Sequence, residues 1–389
     1  MPDVADVFRR FGSRYLEAHG AAMLPSHRRA LADIVACRTE ALGGQQWCCT
    51  ACGTLLHVFH SCRNRACPKC HGEQTQAWLE RRQAEMLPVP YFHVTVTVPE
   101  ELRAALRRHQ VDGYGALMKA AAGAIVDLAR DPRWVGGTVG VLAVLHTWTQ
   151  QLHYHPHVHC LVTGGGVSAD GAYWHPPVRD GFLVPVKALG KLIRGKVRAE
   201  LARRLPTVSI PGAVWRQPWV VHCTPWAEGE RGVLDYLARY VFRTALTNSR
   251  LQALDAETVT FRYKNREAGQ WRSCSVSGHE FLRRFCQHIL PKGFHKVRYY
   301  GLWHPSKRDL LSRVRQRLML DRPLPVQPEP ALETADDHTT EETAMTPPRT
   351  CPRCGHAHLV RIARLTPVRR SRSSGNGPPP QTASPMSMT

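Results

Sequence analysis

The chain has 389 residues, 43% of them hydrophobic, and carries 52 Lys and Arg against 31 Asp and Glu, a formal charge of +21. That length accommodates two or three domains, the apolar content excludes a wholly disordered chain, and the basic excess points to a polyanionic partner, most often nucleic acid. No apolar run reaches the roughly 18 residues of a membrane span. The N-terminus MPDVADVFRRFG also lacks the apolar core of a secretory signal, so a cytoplasmic protein without membrane contact is expected. Disulfides are rare in that compartment. The 13 cysteines, seven of them between Cys37 and Cys70, therefore read as thiols or metal ligands.

In chain order, VADVFRRFGSRYLEAH and HRRALADIVA repeat apolar residues at three- and four-residue spacings. They predict two helices within residues 1–36, divided at Pro25-Ser26, with Ser26 as the second N-cap. Cys49-x2-Cys52 and Cys67-x2-Cys70 follow, separated by 14 residues. Their four thiolates match a closed tetrahedral zinc site. Cys48, Cys62 and His60 are substitutes for one ligand, and Cys37 reads as a small buried hydrophobe. Arg63, Arg65 and Lys69 beside the ligands suit a phosphate grip as well as a plain staple. TQAWLERRQAEML is an amphipathic helix that ends before Pro88 and Pro90.

Beyond this module, Tyr91–Val98 (YFHVTVTV) alternates as a strand, Glu100–Arg108 and Tyr114–Arg130 are helical, and Val139–Trp148 is a second strand. The stretch Gln151–Val167, QLHYHPHVHCLVTGGGV, is the most informative of the chain. Strand periodicity puts His157 and His159 on one face and Val158, Cys160 and Val162 on the other. Two imidazoles so close make half of a metal site, although an isolated His-x-His also fits a solvent-facing strand. Gly164-Gly165-Gly166 ends the strand and permits close backbone approach. Strands and helices mix without regular βα alternation, which predicts an α+β fold with an antiparallel sheet.

Val184–Leu205 is a basic helical stretch. Its Gly190–Val197 segment, GKLIRGKV, nearly matches a phosphate-binding loop, but Val197 supplies no hydroxyl for magnesium, and no ATP dependence follows. Val233–Leu246 (VLDYLARYVFRTAL) reads as a helix with Leu234, Leu237 and Val241 in one stripe. Tyr236 and Tyr240 stand one turn apart at its edge, flanked by Arg239 and Arg243. Such a pair often serves packing alone; its chemistry also allows a phenol to attack a phosphodiester and remain as a covalent phosphotyrosine. A hairpin is expected over residues 258–276 and a helix over Gly278–Leu290. Lys292, Lys296, Arg298, Tyr299, Tyr300 and Trp303 then combine charge with stacking surfaces, as single-strand binders do. Residues 321–349 form an acidic, Pro- and Thr-rich linker. Cys351-x2-Cys354 with His356 and His358 is a candidate second metal knuckle, and the remaining tail is expected to be disordered.

The stretches CRTEALGG, SCRNRACPKC, YFHVTVTVP, LHTW, HPHVHCLVTGGG, YLARYVFR and LPKGFHKVRYYGL occur in this order from about Cys37 to Leu302. Together they resemble the two-tyrosine HUH transposases of rolling-circle bacterial insertion sequences, in which HUH denotes His, a bulky hydrophobic residue and His. The resemblance implies an N-terminal helical zinc-binding, DNA-recognition domain over residues 1–88, with Cys49, Cys52, Cys67 and Cys70 as zinc ligands. It implies a catalytic domain over residues 89–305 whose central antiparallel sheet is HUH endonuclease-like. There His157 and His159 would hold Mg²⁺ or Mn²⁺, and Tyr236 and Tyr240 would be the nucleophiles. Residues 306–389 would comprise a basic helix, the acidic linker, the Cys/His knuckle and the disordered tail. The implied activity nicks single-stranded DNA at the element's end, forms a 5′-phosphotyrosine and transfers the strand to target DNA, with a host helicase and polymerase as helpers. Gln45, Ala66 and Phe242 stand where the family often has histidine. The third ligand of the divalent ion is left open among His93, His153 and His155. A rolling-circle replication initiator with the same nicking chemistry, and a non-catalytic zinc-containing DNA-binding protein, are the competing expectations.

Overall fold

A computed structural model describes residues 2–70, 85–226, 244–265, 268–320 and 350–368, together with positions 80, 82, 83, 233, 240 and 241. The helix expected over residues 75–87, the acidic linker and the C-terminal tail therefore fall largely or wholly outside the described residues. The chain divides into two compact units, Met1–Val35 with Arg63–His338, and Ala36–Cys62 with Thr339–Thr389.

The larger unit opens with α1 (Val4–His19), capped by Asp3, whose carboxylate accepts from the Asp6 N–H while the Asp6 side chain accepts from the Asp3 N–H. Helix α2 (Pro25–Ala36) begins one residue before the expected cap. Proline's fixed φ suits a first helical turn and its missing N–H costs nothing there, so Ser26 lies inside the helix and does not cap it.

In the second unit β1 (Gly44–Cys49) and β2 (Leu55–Phe59) form an antiparallel pair. The larger unit continues with β3 (Tyr91–Thr97), α3 (Glu100–Arg108), α4 (Gln110–Ala129), β4 (Gly140–Trp148) and β5 (Tyr154–Thr163). Helix α5 (Val186–Arg204) and strand β6 (Val220–Trp226) come next. A three-stranded meander of β7 (Leu251–Leu254), β8 (Thr258–Lys264) and β9 (Trp271–Ser277) leads into α6 (Gly278–Cys286). Strand β10 (Val297–Gly301) and helix α7 (Arg308–Leu320) follow, and β11 (Leu359–Leu365) returns to the second unit, where it pairs with β1.

The main sheet has the order β10-β4-β5-β3-β6, all neighbours antiparallel, so the α+β architecture with a central antiparallel sheet is what the chain adopts. The His-x-His strand β5 is its middle strand. Strand parity divides the sheet cleanly. Val94 and Val96 of β3, Val141, Ala143 and Leu145 of β4, and Val158, Cys160 and Val162 of β5 share one buried cluster with α4 and α5. Small residues along α4, including Ala120, Ala121, Ala122 and Ala124, let that helix lie close to the sheet. The opposite face is apolar at one end, where Tyr91, Leu142, Val144 and Leu161 pack with Trp303 and with Leu311 and Val314 of α7. At the other end it is lined with histidine.

The Gly-rich end of β5 is used as expected. A Cβ on Gly164 would sit 2.7 Å from the Pro90 carbonyl oxygen, and one on Gly166 would sit 2.6 Å from the Gly137 carbonyl carbon, so both positions exclude any side chain. The GKLIRGKV segment lies within α5, where its backbone N–H groups belong to the helix and form no phosphate cradle. The aromatic stretch near Trp303 also differs from the expected open stacking surface. It forms β10, an outer strand of the sheet, with Tyr300 packed on the helical side and Tyr299 and Trp303 on the other. Among the described residues, no helix is long and apolar enough to cross a membrane.

The turn between β4 and β5 is held by three side chains from later in the chain. Arg250 donates to the Gln150 carbonyl, Arg284 to the Gln151 carbonyl at 3.1 Å and His288 to the Leu152 carbonyl at 3.1 Å. Leu152 is fully buried and has φ 63°, a conformation few non-glycine residues adopt, so these bonds offset local strain while fixing where β5 begins. His288 also receives the Thr147 hydroxyl at Nδ1, 3.1 Å away. Burial lowers the His288 pKa from 6.5 to about 3. Since the folded value lies below the unfolded one, the stability of the neutral ring is complete above pH 6.5 and is lost as pH falls from there towards about 3. A denaturant midpoint that declines across this window, with the slope reduced in His288→Gln, is the expected result; an unchanged slope in the variant would reassign the acid sensitivity.

Candidate functional site

Strand register assembles the site. Across the β4–β5 pair His146 faces His157, and across β3–β5 Thr95 faces His159. His93, His146, His157 and His159 all occupy the face opposite the helices, because each has the parity opposite to Val94, Leu145, Val158 and Cys160. His146, His157 and His159 are buried, and one nitrogen from each lies within 4.8 Å of the others. Three converging imidazoles could hold a metal ion, and the group contains no carboxylate among the described residues.

One ring nitrogen of each is engaged, which sets the orientation of the ring. His157 donates from Nδ1 to the His155 carbonyl at 2.7 Å, leaving Nε2 for a metal. His159 Nδ1 lies 2.9 Å from His93 Nε2 and 3.3 Å from the Thr95 hydroxyl. His146 donates from Nε2 to the Tyr240 carbonyl at 2.8 Å. That bond ties the Tyr240 backbone to the imidazole group. The Tyr240 ring stands over the same face, its centroid 4.4 Å from His159, 5.6 Å from His146 and 5.6 Å from His93. Val241 is buried as the expected apolar stripe requires, while Tyr236, Leu234, Leu237, Arg239 and Arg243 lie outside the described residues.

Of the three histidines left open as a third ligand, none belongs to the converging group. His153 sits in the clamped turn, where its N–H donates to Thr149 Oγ1 at 3.1 Å. His155 lies further along β5, its ring 5.4 Å from His157. His93 contacts His159 from behind and stacks on it at 5.2 Å, and burial lowers its pKa to about 4, so it is neutral at physiological pH. His146, the residue that joins the pair, was missed because it lies on a neighbouring strand. The available signal was parity within VLAVLHTW, where His146 alternates with the apolar core residues.

The cysteines are arranged differently from the expected quartet. Cys49 and Cys52 gather with Cys351 and Cys354, all four sulfurs within 4.8 Å of one another, in the second unit. Cys49 Sγ is 3.6 Å from Cys354 Sγ, and Cys52 Sγ is 3.7 Å from Cys351 Sγ. A tetrahedron with Zn–S bonds of about 2.3 Å has edges of about 3.8 Å, so the spacing fits zinc. Cys67 and Cys70 are not part of this group; both are buried and lie in the larger unit. The physical reason is strand pairing. β11 runs antiparallel to β1 with Leu359 opposite Cys49, and the Thr50 N–H donates to the His358 carbonyl, which brings the Cys351 knuckle against the Cys49 knuckle. The two knuckles are alike. Gly53 (φ 69°) donates to the Cys49 carbonyl at 2.9 Å, and Gly355 (φ 74°) donates to the Cys351 carbonyl at 2.8 Å. Both pairs read Cys-x2-Cys-Gly, whereas His71 follows Cys70, a difference that could have matched them from sequence. The exposed His356 and His358 stay outside the group. Cys37 is buried, and its sulfur accepts from the Cys62 N–H at 3.5 Å. Two of the basic residues beside the knuckles have internal partners: Lys69 pairs with Asp3 at 2.6 Å, and Arg65 donates to the Pro291 and Phe294 carbonyls.

A family model described as "Transposase zinc-binding domain" matches residues 7–98, and one described as "Putative transposase" matches residues 140–309. The chain is 37% identical over 381 residues to "Putative transposase y4qJ" of Sinorhizobium fredii (strain NBRC 101917 / NGR234), covering 93% of this chain and 95% of that protein. It is 27% identical over 286 residues to "Transposase for insertion sequence element IS801" of Pseudomonas savastanoi pv. phaseolicola, covering 69% of this chain and 68% of that protein. No solved structure matches. The chain thus belongs to the two-tyrosine family of insertion-sequence transposases, with a transposase zinc-binding domain towards its N-terminus.

Proposed function

We propose that this transposase cuts single-stranded DNA at the ends of its element by attack of a tyrosine hydroxyl on the scissile phosphate, with His146, His157 and His159 holding the divalent ion. The observation that carries the reading is the Tyr240 ring resting on a buried three-imidazole group, its segment bonded to one of those imidazoles. When bound, the ion supplies a Lewis acid for the charge that develops on the phosphate oxygens. The phenol loses its proton as its oxygen bonds to phosphorus, the P–O3′ bond breaks, and the departing 3′ oxygen takes up a proton. The 5′ end stays on the tyrosine until a 3′ hydroxyl of target DNA attacks the same phosphorus and releases the phenol. The linkage conserves the bond energy, so strand transfer needs no ATP. Tyr236 is proposed as the second nucleophile on sequence spacing alone, and a host helicase and polymerase as partners on the family resemblance.

Of the two ions expected, Mg²⁺ demands oxygen ligands in near-ideal octahedral geometry, and the described group offers none. Mn²⁺ is the better match, and half-maximal cleavage is expected at roughly tenfold lower Mn²⁺ than Mg²⁺. Equal requirements in a titration of the two ions would argue that the imidazoles do not hold it. The central test is formation of an SDS-resistant adduct with an element-end oligonucleotide. The parent should form it, and the Tyr236→Phe/Tyr240→Phe double variant should not. An adduct that persists in the double variant would sink the nucleophile assignment. A zinc-containing protein that only binds DNA would form none with any variant.

We also propose Cys49, Cys52, Cys351 and Cys354 as the ligands of one structural Zn²⁺, in place of the contiguous quartet that spacing suggested. A hydrogen bond from the Thr54 hydroxyl holds the Cys52 pKa down at about 6, which favours the thiolate that zinc requires.

A further inference from the structure

The β7-β8-β9 meander lies outside the imidazole group, and nothing in the cleavage reading uses it. Its register separates two faces. Val259 and Phe261 point inward, and Phe261 meets Phe281 of α6 with ring centroids 6.0 Å apart. The outward face pairs Thr260 with Ser275, Arg262 with Ser273 and Lys264 with Trp271. Arg262, Lys264, Trp271, Ser273 and Ser275 are exposed. The three strands contain no Asp or Glu, while Arg262, Lys264 and Arg272 are cationic.

Trp271 is the anomaly. An indole 55% exposed on a solvated sheet loses the burial that usually favours tryptophan. The Arg262 guanidinium carbon stands 4.9 Å from the centroid of its ring. An exposed indole beside a guanidinium offers a nucleic-acid base a π-face, with a cation at the height of its phosphate. Along the same face the Thr260 and Ser275 hydroxyls, 2.7 Å apart, and the Ser273–Gln252 pair supply small neutral groups that bond phosphate or sugar oxygens without repelling them.

We propose that this face is a track for single-stranded DNA leading to or from the cleavage site, with Trp271 stacking one base and Arg262 and Lys264 contacting the flanking phosphates. The inference rests on the reading of the chain as acting on single-stranded DNA. Charge complementarity commits the face to a polyanion, and the stacking group commits it to unpaired bases.

The test measures binding of the full-length chain to a labelled oligothymidylate and to a duplex of equal length, across a salt series. Trp271→Ala should weaken single-strand binding about tenfold, and Trp271→Phe should restore most of it because a phenyl ring still stacks. Duplex binding by Trp271→Ala should stay within about twofold of the parent, which also reports that the variant is folded. Arg262→Ala/Lys264→Ala should lower the slope of log affinity against log salt by about 1.4, the value for two phosphates on a single strand. Parental single-strand binding by Trp271→Ala would overturn the proposal, and so would equal losses on single strand and duplex. If the parent forms no adduct yet Trp271→Ala loses single-strand binding, the cleavage reading fails and the DNA track stands.

Discussion

His146→Ala is expected to lower metal-dependent strand cleavage by about three orders of magnitude while leaving single-stranded DNA affinity within about threefold of the parent. Two losses combine. The ion would lose one of three imidazoles, and a charge-stabilising contribution of several kcal/mol, of which about 4 kcal/mol corresponds to a thousandfold in rate, depends on that ion being held in place. The Tyr240 carbonyl would also lose the Nε2–H donor that anchors its segment beside the site. His153→Ala and His155→Ala serve as controls. Neither side chain belongs to the converging group, and each should cost less than about tenfold. The outcome that would remove His146 from the site is cleavage by His146→Ala within a few-fold of the parent at saturating Mn²⁺, with His157→Ala inactive.

The second large effect concerns zinc. Cys351→Ser/Cys354→Ser should contain one equivalent of zinc less than the parent by elemental analysis, and the Co²⁺-substituted protein should lose thiolate-to-metal charge-transfer absorption in proportion. A site closed by Cys49, Cys52, Cys67 and Cys70 makes the opposite forecast, with zinc content indifferent to the C-terminal pair. The energetic consequence is considerable because the four ligands join segments almost 300 residues apart in sequence. Closing so long a loop carries a conformational cost of several kcal/mol, which an intact zinc site offsets. Chelation should therefore release β11 from β1, read as new protease cleavage between residues 350 and 368 at a zinc concentration that leaves the parent uncut. If chelated protein kept that segment protected, strand pairing alone would account for its position.

Local patterns reached β3, β4, β5, β8, β9 and most of the helices, but not β1, β2, β6, β7, β10 or β11. Alternation in YFHVTVTV and HPHVHCLV is a period-two signal that holds whatever the neighbours are, so the face of each residue on β3 and β5 followed from sequence. The glycines after β5 and the α+β class were legible for the same reason. What local pattern could not supply was which strand lies beside which. His146 enters the site only because β4 pairs with β5 in a register that sets it opposite His157, a register fixed by a turn clamped from Arg250, Arg284 and His288, about a hundred residues or more downstream. The basic aromatic segment around Trp303 showed composition but not side-chain direction, and burial on two faces of an outer strand turned its aromatics into core.

The sequence by itself determined the chemistry available: a His-x-His strand, a tyrosine pair at one-turn spacing, Cys-x2-Cys knuckles and a basic surplus. Tertiary structure decided which of those groups meet. The third imidazole arrived through β4–β5 register, and the partner of the Cys49 knuckle arrived from the far end of the chain through β1–β11 pairing. Both are non-local strand pairings: backbone hydrogen bonds are common to every sequence and do not choose a partner, so the choice rests on side-chain packing between segments far apart in the chain.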